Sequence, residues 1–450
     1  MERFDLIVLG AGPGGYTAAL EAAGLKKSVL LVEADRLGGT CLNRGCIPTK
    51  ALLRSAHLYR EALECEELGV KVDGAAYDLP AMCRRANAVQ DQLRDGIASL
   101  LKKGKVEQVT GRGKVLTGHS VEVNGQVYEA DHILVATGSV PAMPPIPGLD
   151  LPGVVTSDDL LSGEGVNCKS LLVIGGGVVG VEFAQVYSDL GCEVTIVEAL
   201  PRLLANLDRE MGQSLAMSFK KRGVQVFTDS SVKSLAADGG KLACTFADKK
   251  GNEQTLAAEK VLVCTGRRPN TKELFTPEVE EALAMERGYI PADGDGRTKV
   301  EGIWAAGDLL LGGIQLAHAA EAEARNAVRA MFGEKPVKDI SLVPACIFTQ
   351  PEIASVGMTA DQAKAAGIQT GAQKNLSTSN GKALIDGADR GFVKLLYRKE
   401  DGVLLGAQLL CPHASEMIGG LTAAIRYGLT LDQVRETIFP HPTVSEVIGI

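Results

Sequence analysis

Residues 4–23 read FDLIVLGAGPGGYTAALEAA. A short apolar run leads into a glycine-rich turn, and an alanine-rich stretch with helical character follows, which predicts buried strand, turn and helix. Gly10, Gly12 and Gly15 fit the pattern G-x-G-x-x-G. The first glycine makes the tight turn, the second lets a pyrophosphate approach the backbone, and the third lets helix pack on strand. The helix N-terminus offers free N–H groups to phosphate oxygens. The next strand, SVLLVE, ends at Glu33, placed to accept hydrogen bonds from an adenosine ribose.

The pattern recurs at residues 169–191, KSLLVIGGGVVGVEFAQVYSDLG, with Gly175, Gly177 and Gly180. The strand EVTIVE then ends at Glu198, so the step from first glycine to acid is 23 residues in both copies (33 − 10 and 198 − 175). Each copy is followed by an apolar strand ending in Thr-Gly, at Thr137–Gly138 and Thr265–Gly266. Two matched units predict two bound dinucleotides. Glu198 suits a free ribose 2′-hydroxyl and repels a 2′-phosphate, so the second site is expected to prefer NAD over NADP, with nearby Arg202 as a counter-signal. In GIWAAGDLLLGG an apolar strand delivers Asp308 into a glycine-rich turn, either to hold polyol hydroxyls or simply as a turn aspartate.

At 450 residues the chain exceeds one hydrophobic core and is expected to form several domains. A net charge of −8 argues against nucleic acid or an anionic membrane surface as the main partner. The start, MERFDLIVLGAG, lacks the features of a signal peptide, and no stretch of 18 apolar residues suggests a membrane span. The expected compartment is the cytoplasm. There most of the 10 cysteines should stay reduced, and a disulfide that forms is more readily catalytic than structural.

Residues 38–50, GGTCLNRGCIPTK, place Cys41 and Cys46 five positions apart. Gly38 and Gly39 break the chain, and Thr40 is expected to cap a helix running through KALLRSAHLYREAL. The positive helix end should lower both thiol pKa values, and Pro48 should distort the turn enough for the pair to close. A zinc clip, a structural pair and a redox disulfide compete. Structural zinc needs four ligands, and no second close pair of cysteines or histidines accompanies this one. No metal is expected. Thiol–disulfide exchange also needs a proton acceptor, and FPHPTVSEVIGI supplies His441 with Glu446 five positions on. The same Thr443-x-x-Glu446 reads equally as a capping box.

Together the cysteine motif, both glycine units, the Thr-Gly strands, GIWAAGDLL and FPHPTVSE resemble the pyridine nucleotide–disulfide oxidoreductases over essentially the whole chain. Cys-Leu-Asn with Ile-Pro-Thr-Lys is most similar to the branch that oxidises protein-bound dihydrolipoamide with NAD. Arg44 departs from that branch, where a smaller apolar residue is usual, and is expected at the rim of the disulfide site. The resemblance implies that Cys41 exchanges with substrate and Cys46 lies against a flavin. It implies Lys50 near the reactive flavin nitrogen, paired with Glu182, and His441 as base supported by Glu446. It further implies FAD held by Gly10, Gly12, Gly15, Glu33, Lys50, Gly113, Thr137, Gly138, Ser139, Asp308, Gln315, Leu316, Ala317 and His318. NAD would be held by Gly175, Gly177, Val178, Gly180, Glu182, Glu198 and Gly266. The histidine of one subunit would serve the cysteines of the other, making a homodimer with shared sites. The implied partner is the lipoyl domain of a 2-oxo acid dehydrogenase, acetoin or glycine cleavage complex. An NAD(P)H-dependent reductase of another small disulfide, or a flavin redox sensor, are the alternatives. The sensor needs no acid–base pair, which tells against it.

The expected class is α/β, with two Rossmann-like dinucleotide-binding domains and a C-terminal α+β dimerisation domain. The FAD domain is expected at 1–147 with a helical excursion at about 49–103, and the NAD domain at 148–270. Residues 271–338 would complete the FAD site, and 339–450 would form the interface domain.

Overall fold

The computed structural model describes residues 2–388 and 390–449. Strand Arg3–Leu9 lies at the centre of a seven-stranded sheet, parallel to Val29–Glu33 on one side and Gln126–Val135 on the other. Its side chains alternate between two cores, because successive strand residues face opposite ways. Leu6 and Val8 pack against Ala18, Ala22, Ala324 and Val328 from helices Pro13–Gly24 and Ala317–Met331. Ile7 and Leu9 pack on the other face with Val115, Ile133 and Phe275. A strand buried on both faces is why this segment is an unbroken apolar run. Strand Ile303–Ala305 joins the same sheet, parallel to Gln126–Val135, so the chain returns there after building the second unit.

The second sheet has five parallel strands in the order Gln225–Phe227, Glu193–Val197, Ser170–Ile174, Lys260–Val263, Val154–Val155. Helices Val178–Asp189 and Arg209–Lys221 bury Val181, Leu215 and Phe219 with one face. A three-stranded antiparallel sheet, Ser231–Asp238, Lys241–Ala247 and Glu253–Ala258, covers the other through Leu235, Leu242 and Phe246. Short antiparallel strands Ser139–Pro141 and Arg267–Pro269 tie the two Thr-Gly exits together.

The last portion is a five-stranded antiparallel sheet, in the order Ala345–Ile347, Ile353–Gly357, Leu404–Leu410, Phe392–Arg398, Thr370–Leu376. Helix Ala414–Arg426 packs on one face through Met417, Ile418 and Leu421. Ile347, Ile353, Phe392 and Leu410 turn the other way and share the core of the second dinucleotide unit. That shared core fixes the antiparallel sheet against helix Val178–Asp189. The connection before it is pinned by Asn326, whose Oδ1 accepts from the N–H groups of Val337 and Lys338, 3.0 Å each. Among the described residues no helix is long and apolar enough to cross a membrane.

Around the cysteines the backbone differs from the sequence expectation. One helix becomes two, Gly39–Arg44 and Cys46–Glu64, separated by Gly45. Gly45 has φ −146° and ψ −114°, and a Cβ there would stand 2.9 Å from the Thr40 carbonyl oxygen. Gly38, in the left-handed region at φ +94°, precedes the first helix, so Thr40 lies within that helix and does not cap it. Pro48 sits in the first turn of the second helix, where its missing N–H has no intrahelical partner to lose, and it distorts nothing. The glycine, not the proline, breaks the helix.

Candidate functional site

The two glycine loops are built alike. Gly10 has φ +94° and Gly175 φ +114°, and a Cβ on either would lie 2.5 Å from a carbonyl oxygen of the neighbouring strand, Ala136 or Cys264. A Cβ on Gly15 or Gly180 would reach 1.7 or 2.1 Å from the oxygen of Gly10 or Gly175, so close helix–strand packing demands glycine there. The middle glycines differ. A Cβ on Gly12 would meet nothing nearer than Gly39 Cα at 3.8 Å, and one on Gly177 nothing within 4 Å. Their side-chain space is open, as a pyrophosphate cradle requires, and both loops fit a dinucleotide.

The two acids repeat the same local geometry. Glu33 accepts from the Ala11 N–H at 2.6 Å and the Asp35 N–H at 2.8 Å. Glu198 accepts from the Gly176 N–H at 2.5 Å and the Leu200 N–H at 2.7 Å. Each carboxylate thus clamps its glycine loop to the end of its strand, and each oxygen retains acceptor capacity for ribose hydroxyls. Burial pushes the Glu33 carboxyl up from its ordinary value. Arg202 Nη2 donates to the Ala205 carbonyl at 2.8 Å. Arg44, in the same short helix as Cys41, pairs with Asp35, two residues beyond Glu33.

Cys41 lies in helix Gly39–Arg44 and Cys46 opens helix Cys46–Glu64, both as free thiols that hydrogen-bond to one another. The pair splits in acidity. The hydrogen bond from Cys41 and the charge of Lys50, acting against burial, bring the Cys46 thiol down to about 7. The same hydrogen bond, with burial, pushes Cys41 up. The expectation that both thiols would be lowered therefore holds for Cys46 alone, because two sulfurs in contact cannot readily carry two charges. Lys50, one turn along the helix, reaches Glu182 Oε2 with Nζ at 2.8 Å. Glu182 comes from helix Val178–Asp189, its side chain is 4% exposed, and its other oxygen accepts from the Phe348 N–H at 3.1 Å. One ion pair thus joins the cysteine helix, the second dinucleotide unit and the C-terminal sheet.

Asp308 accepts from Ser139 Oγ at 2.5 Å, and Arg267 Nε donates to that same Oγ at 2.7 Å while its Nη2 donates to the Ser139 carbonyl at 2.6 Å. Gln315 donates to the Asp308 carbonyl at 3.2 Å. Leu316 caps, and Ala317 and His318 open, helix Ala317–Met331, with His318 Nε2 2.7 Å from the Pro344 carbonyl. Gly113 begins strand Gly113–Thr117, packed towards Leu9. Thr137 Oγ1 donates to the Asn270 carbonyl, while Gly138 and Gly266, at φ +67° and +125°, turn the chain beyond each strand. Val178 opens the second loop's helix, 37% exposed. Arg267 escaped the sequence reading, although it stands in the Thr-Gly-Arg-Arg stretch. So did Glu321, which accepts from Tyr16 at 3.2 Å, and Glu323, which accepts from the Gly307 N–H at 2.8 Å. Only spacing within helix Ala317–Met331 hinted at those acids.

His441 Nδ1 lies 2.8 Å from Glu446 Oε1, and Glu446 Oε2 accepts from the Thr443 N–H at 3.0 Å. One carboxylate therefore caps the turn and fixes the imidazole, so the two readings of this stretch coexist. The histidine's hydrogen bond, then the Thr443 N–H, hold Glu446 below the usual carboxylate range. The His441 side chain is 81% exposed, with Nε2 free to meet a group arriving from outside the chain. Cys41, Cys46, Lys50 and Glu182 converge within one chain; His441 and Glu446 form a separate surface pair.

Residues 4–324 match the family model described as pyridine nucleotide-disulphide oxidoreductase, and residues 343–449 match the dimerisation domain of the same family. A dihydrolipoyl dehydrogenase of Chlamydia pneumoniae is 38% identical over 99% of this chain and 95% of its own length. One from Chlorobaculum tepidum is 40% identical over 99% of this chain and 96% of its own. Among solved structures, LpdA from Mycobacterium tuberculosis superposes with a TM-score of 0.89 at 29% identity, covering 100% of this chain and 98% of its own. The HOCl-induced flavoprotein disulfide reductase RclA from Escherichia coli gives 0.87 at 28%, covering 99% of this chain and 98% of its own.

Proposed function

The chain belongs to the pyridine nucleotide–disulphide oxidoreductases, and on that footing we propose that it oxidises protein-bound dihydrolipoamide to lipoamide, with FAD as resident cofactor and NAD⁺ as acceptor. The observation that carries this reading is the Cys41–Cys46 pair at the junction of two helices, one turn from the Lys50–Glu182 ion pair. FAD would be held by the Gly10–Gly15 loop, Glu33 and the Asp308–Ser139–Arg267 cluster. NAD would be held by the Gly175–Gly180 loop and Glu198. Bound there, FAD would supply the two-electron redox chemistry that links the reduced dithiol to NAD⁺.

The residues divide the remaining work. His441 removes a proton from a lipoyl thiol, and Glu446 fixes its tautomer and offsets the imidazolium charge. The lipoyl thiolate attacks the Cys41 sulfur of the disulfide, and Cys46 departs as thiolate. Exchange is faster when the leaving thiol is the more acidic one, which favours attack on Cys41. The second lipoyl thiol then displaces Cys41, releasing cyclic lipoamide and leaving both cysteines reduced. Lys50 supports the negative Cys46, and Glu182 holds Lys50 in place.

The matched dimerisation domain supports a homodimer, and the exposed His441 suits service to the partner's cysteines. The wider partner is the lipoyl domain of a multienzyme complex, in the cytoplasm. The structural likeness to a flavoprotein disulfide reductase favours a second reading, reduction of another small disulfide by NADH. Anaerobic turnover of the purified yellow protein separates them, with dihydrolipoamide and NAD⁺ or NADP⁺, alongside Cys46→Ser and His441→Gln. Rapid NADH formation, abolished in Cys46→Ser and cut roughly 10²–10⁴-fold in His441→Gln, is expected. A flavin-replete protein that yields no NADH would remove the lipoyl substrate.

A further inference from the structure

The second dinucleotide unit carries two more cysteines whose sulfurs meet. Cys168 stands just before strand Ser170–Ile174 and Cys192 just before strand Glu193–Val197, at the N-terminal ends of two interior strands and so at the end of the sheet opposite the Gly175 loop. The strands are parallel neighbours, with Glu193 opposite Ser170. Continuing that register puts the two cysteines one residue out of line. With strands about 4.8 Å apart and a rise of about 3.3 Å, their Cα atoms would stand about 5.8 Å apart. Disulfides span Cα separations of about 4.4–6.8 Å. The sulfurs are 3.8 Å apart, Cys168 is 9% exposed, and Cys192 is half-buried and reachable by a small oxidant. Tyr187 Oη donates to the Val166 carbonyl at 2.6 Å, anchoring the segment that delivers Cys168. The mutual hydrogen bond pulls Cys168 down and pushes Cys192 up, which marks the two sulfurs as a coupled pair.

We infer that Cys168 and Cys192 form a second redox-active dithiol, closed by hydrogen peroxide or a low-molecular-weight disulfide, that staples the two strands framing the NAD-binding loop. With peroxide, one thiolate attacks an oxygen and becomes a sulfenic acid, releasing water, and the second thiol displaces another water as S–S forms. Two thiols lose two electrons and two protons, and one peroxide becomes two waters. With a small disulfide, thiolate attack expels one small thiol, and the second cysteine expels the other. The closed loop holds Gly175, Gly177, Gly180 and Glu182, so the staple restrains the base of the unit without entering the site. The inference is independent of which disulfide substrate the enzyme uses.

The test uses the intact flavoprotein. Reduced protein is exposed to hydrogen peroxide or to glutathione disulfide, remaining thiols are capped with iodoacetamide, and tryptic peptides are mapped. Cleavage after Lys169 places the cysteines on separate peptides, 115–169 and 170–202, each with one cysteine. The expected result is a disulfide-joined peptide pair that dithiothreitol separates, with a rise of at least a few degrees in Tm. Cys192→Ser should show neither. Both cysteines recovered capped, or Cys192 carried to sulfinic or sulfonic acid without a joined peptide, would overturn the inference. The wild-type map decides this even if the variant folds poorly.

Discussion

Replacing Lys50 by methionine removes the cation shared by buried Glu182 and the Cys46 thiol. Glu182 is 4% exposed, Lys50 30%, and they meet at 2.8 Å. At that separation the attraction is about 6 kcal/mol with an effective dielectric constant of about 20, before the cost of desolvating both ions. Removing one partner of a buried pair costs about 3–5 kcal/mol. Partial exposure of Lys50, and the Phe348 N–H that Glu182 keeps, put the expected loss at about 3 kcal/mol. For a cooperative unit of about 150–250 residues that lowers Tm by about 6–12 °C.

The same substitution acts on reactivity. Cys46, depressed to about 7, is thiolate above that pH and loses it as pH falls through it. Without Lys50 the pKa rises, so the thiolate is lost at higher pH. A rise of about one unit leaves about one-eleventh rather than one-half of Cys46 ionised at pH 7, a roughly fivefold slower alkylation. The assay is the pH dependence of iodoacetamide capture at Cys46 in the reduced protein, with Lys50→Arg retaining the charge. An alkylation midpoint that stays at about 7 in Lys50→Met would refute this account of how the thiol is poised.

Other outcomes follow from the geometry. Gly12→Ala should fold, since its Cβ has space, yet lose bound flavin; Gly15→Ala, with Cβ 1.7 Å from the Gly10 oxygen, should lose the fold of that unit. Flavin-to-protein ratio and thermal melts distinguish the two. Glu446→Gln should reduce turnover roughly tenfold or more, because His441 then loses the charged acceptor that fixes its ring; KM for NAD⁺ should hold. Glu198→Ala should lower the NAD⁺ over NADP⁺ preference in kcat/KM by about tenfold, because it removes the charge that repels a 2′-phosphate; steady-state kinetics with each nucleotide checks it.

The parts legible from residue order alone are those whose conformation is local. A G-x-G-x-x-G loop needs glycines because a Cβ at Gly10 or Gly15 collides with nearby backbone, so spacing and type expose the turn without any tertiary knowledge. The acid after the second strand of each unit is local in the same sense, since Glu33 and Glu198 bind N–H groups of their own loops. The histidine and its glutamate lie five residues apart and meet within one turn. Packing decided the rest. Lys50 and Glu182 are 132 residues apart, and they meet because the C-terminal sheet and the cysteine helix both dock on helix Val178–Asp189. Gly45 divides the helix that Thr40 was expected to cap, Arg44 turns to Asp35, and a mutual hydrogen bond in a half-buried site sends Cys41 and Cys46 in opposite directions. Residue order determines which turns and cradles form. Which charges are then buried together, and so which groups titrate near neutrality, follows from how separate sheets close on one another.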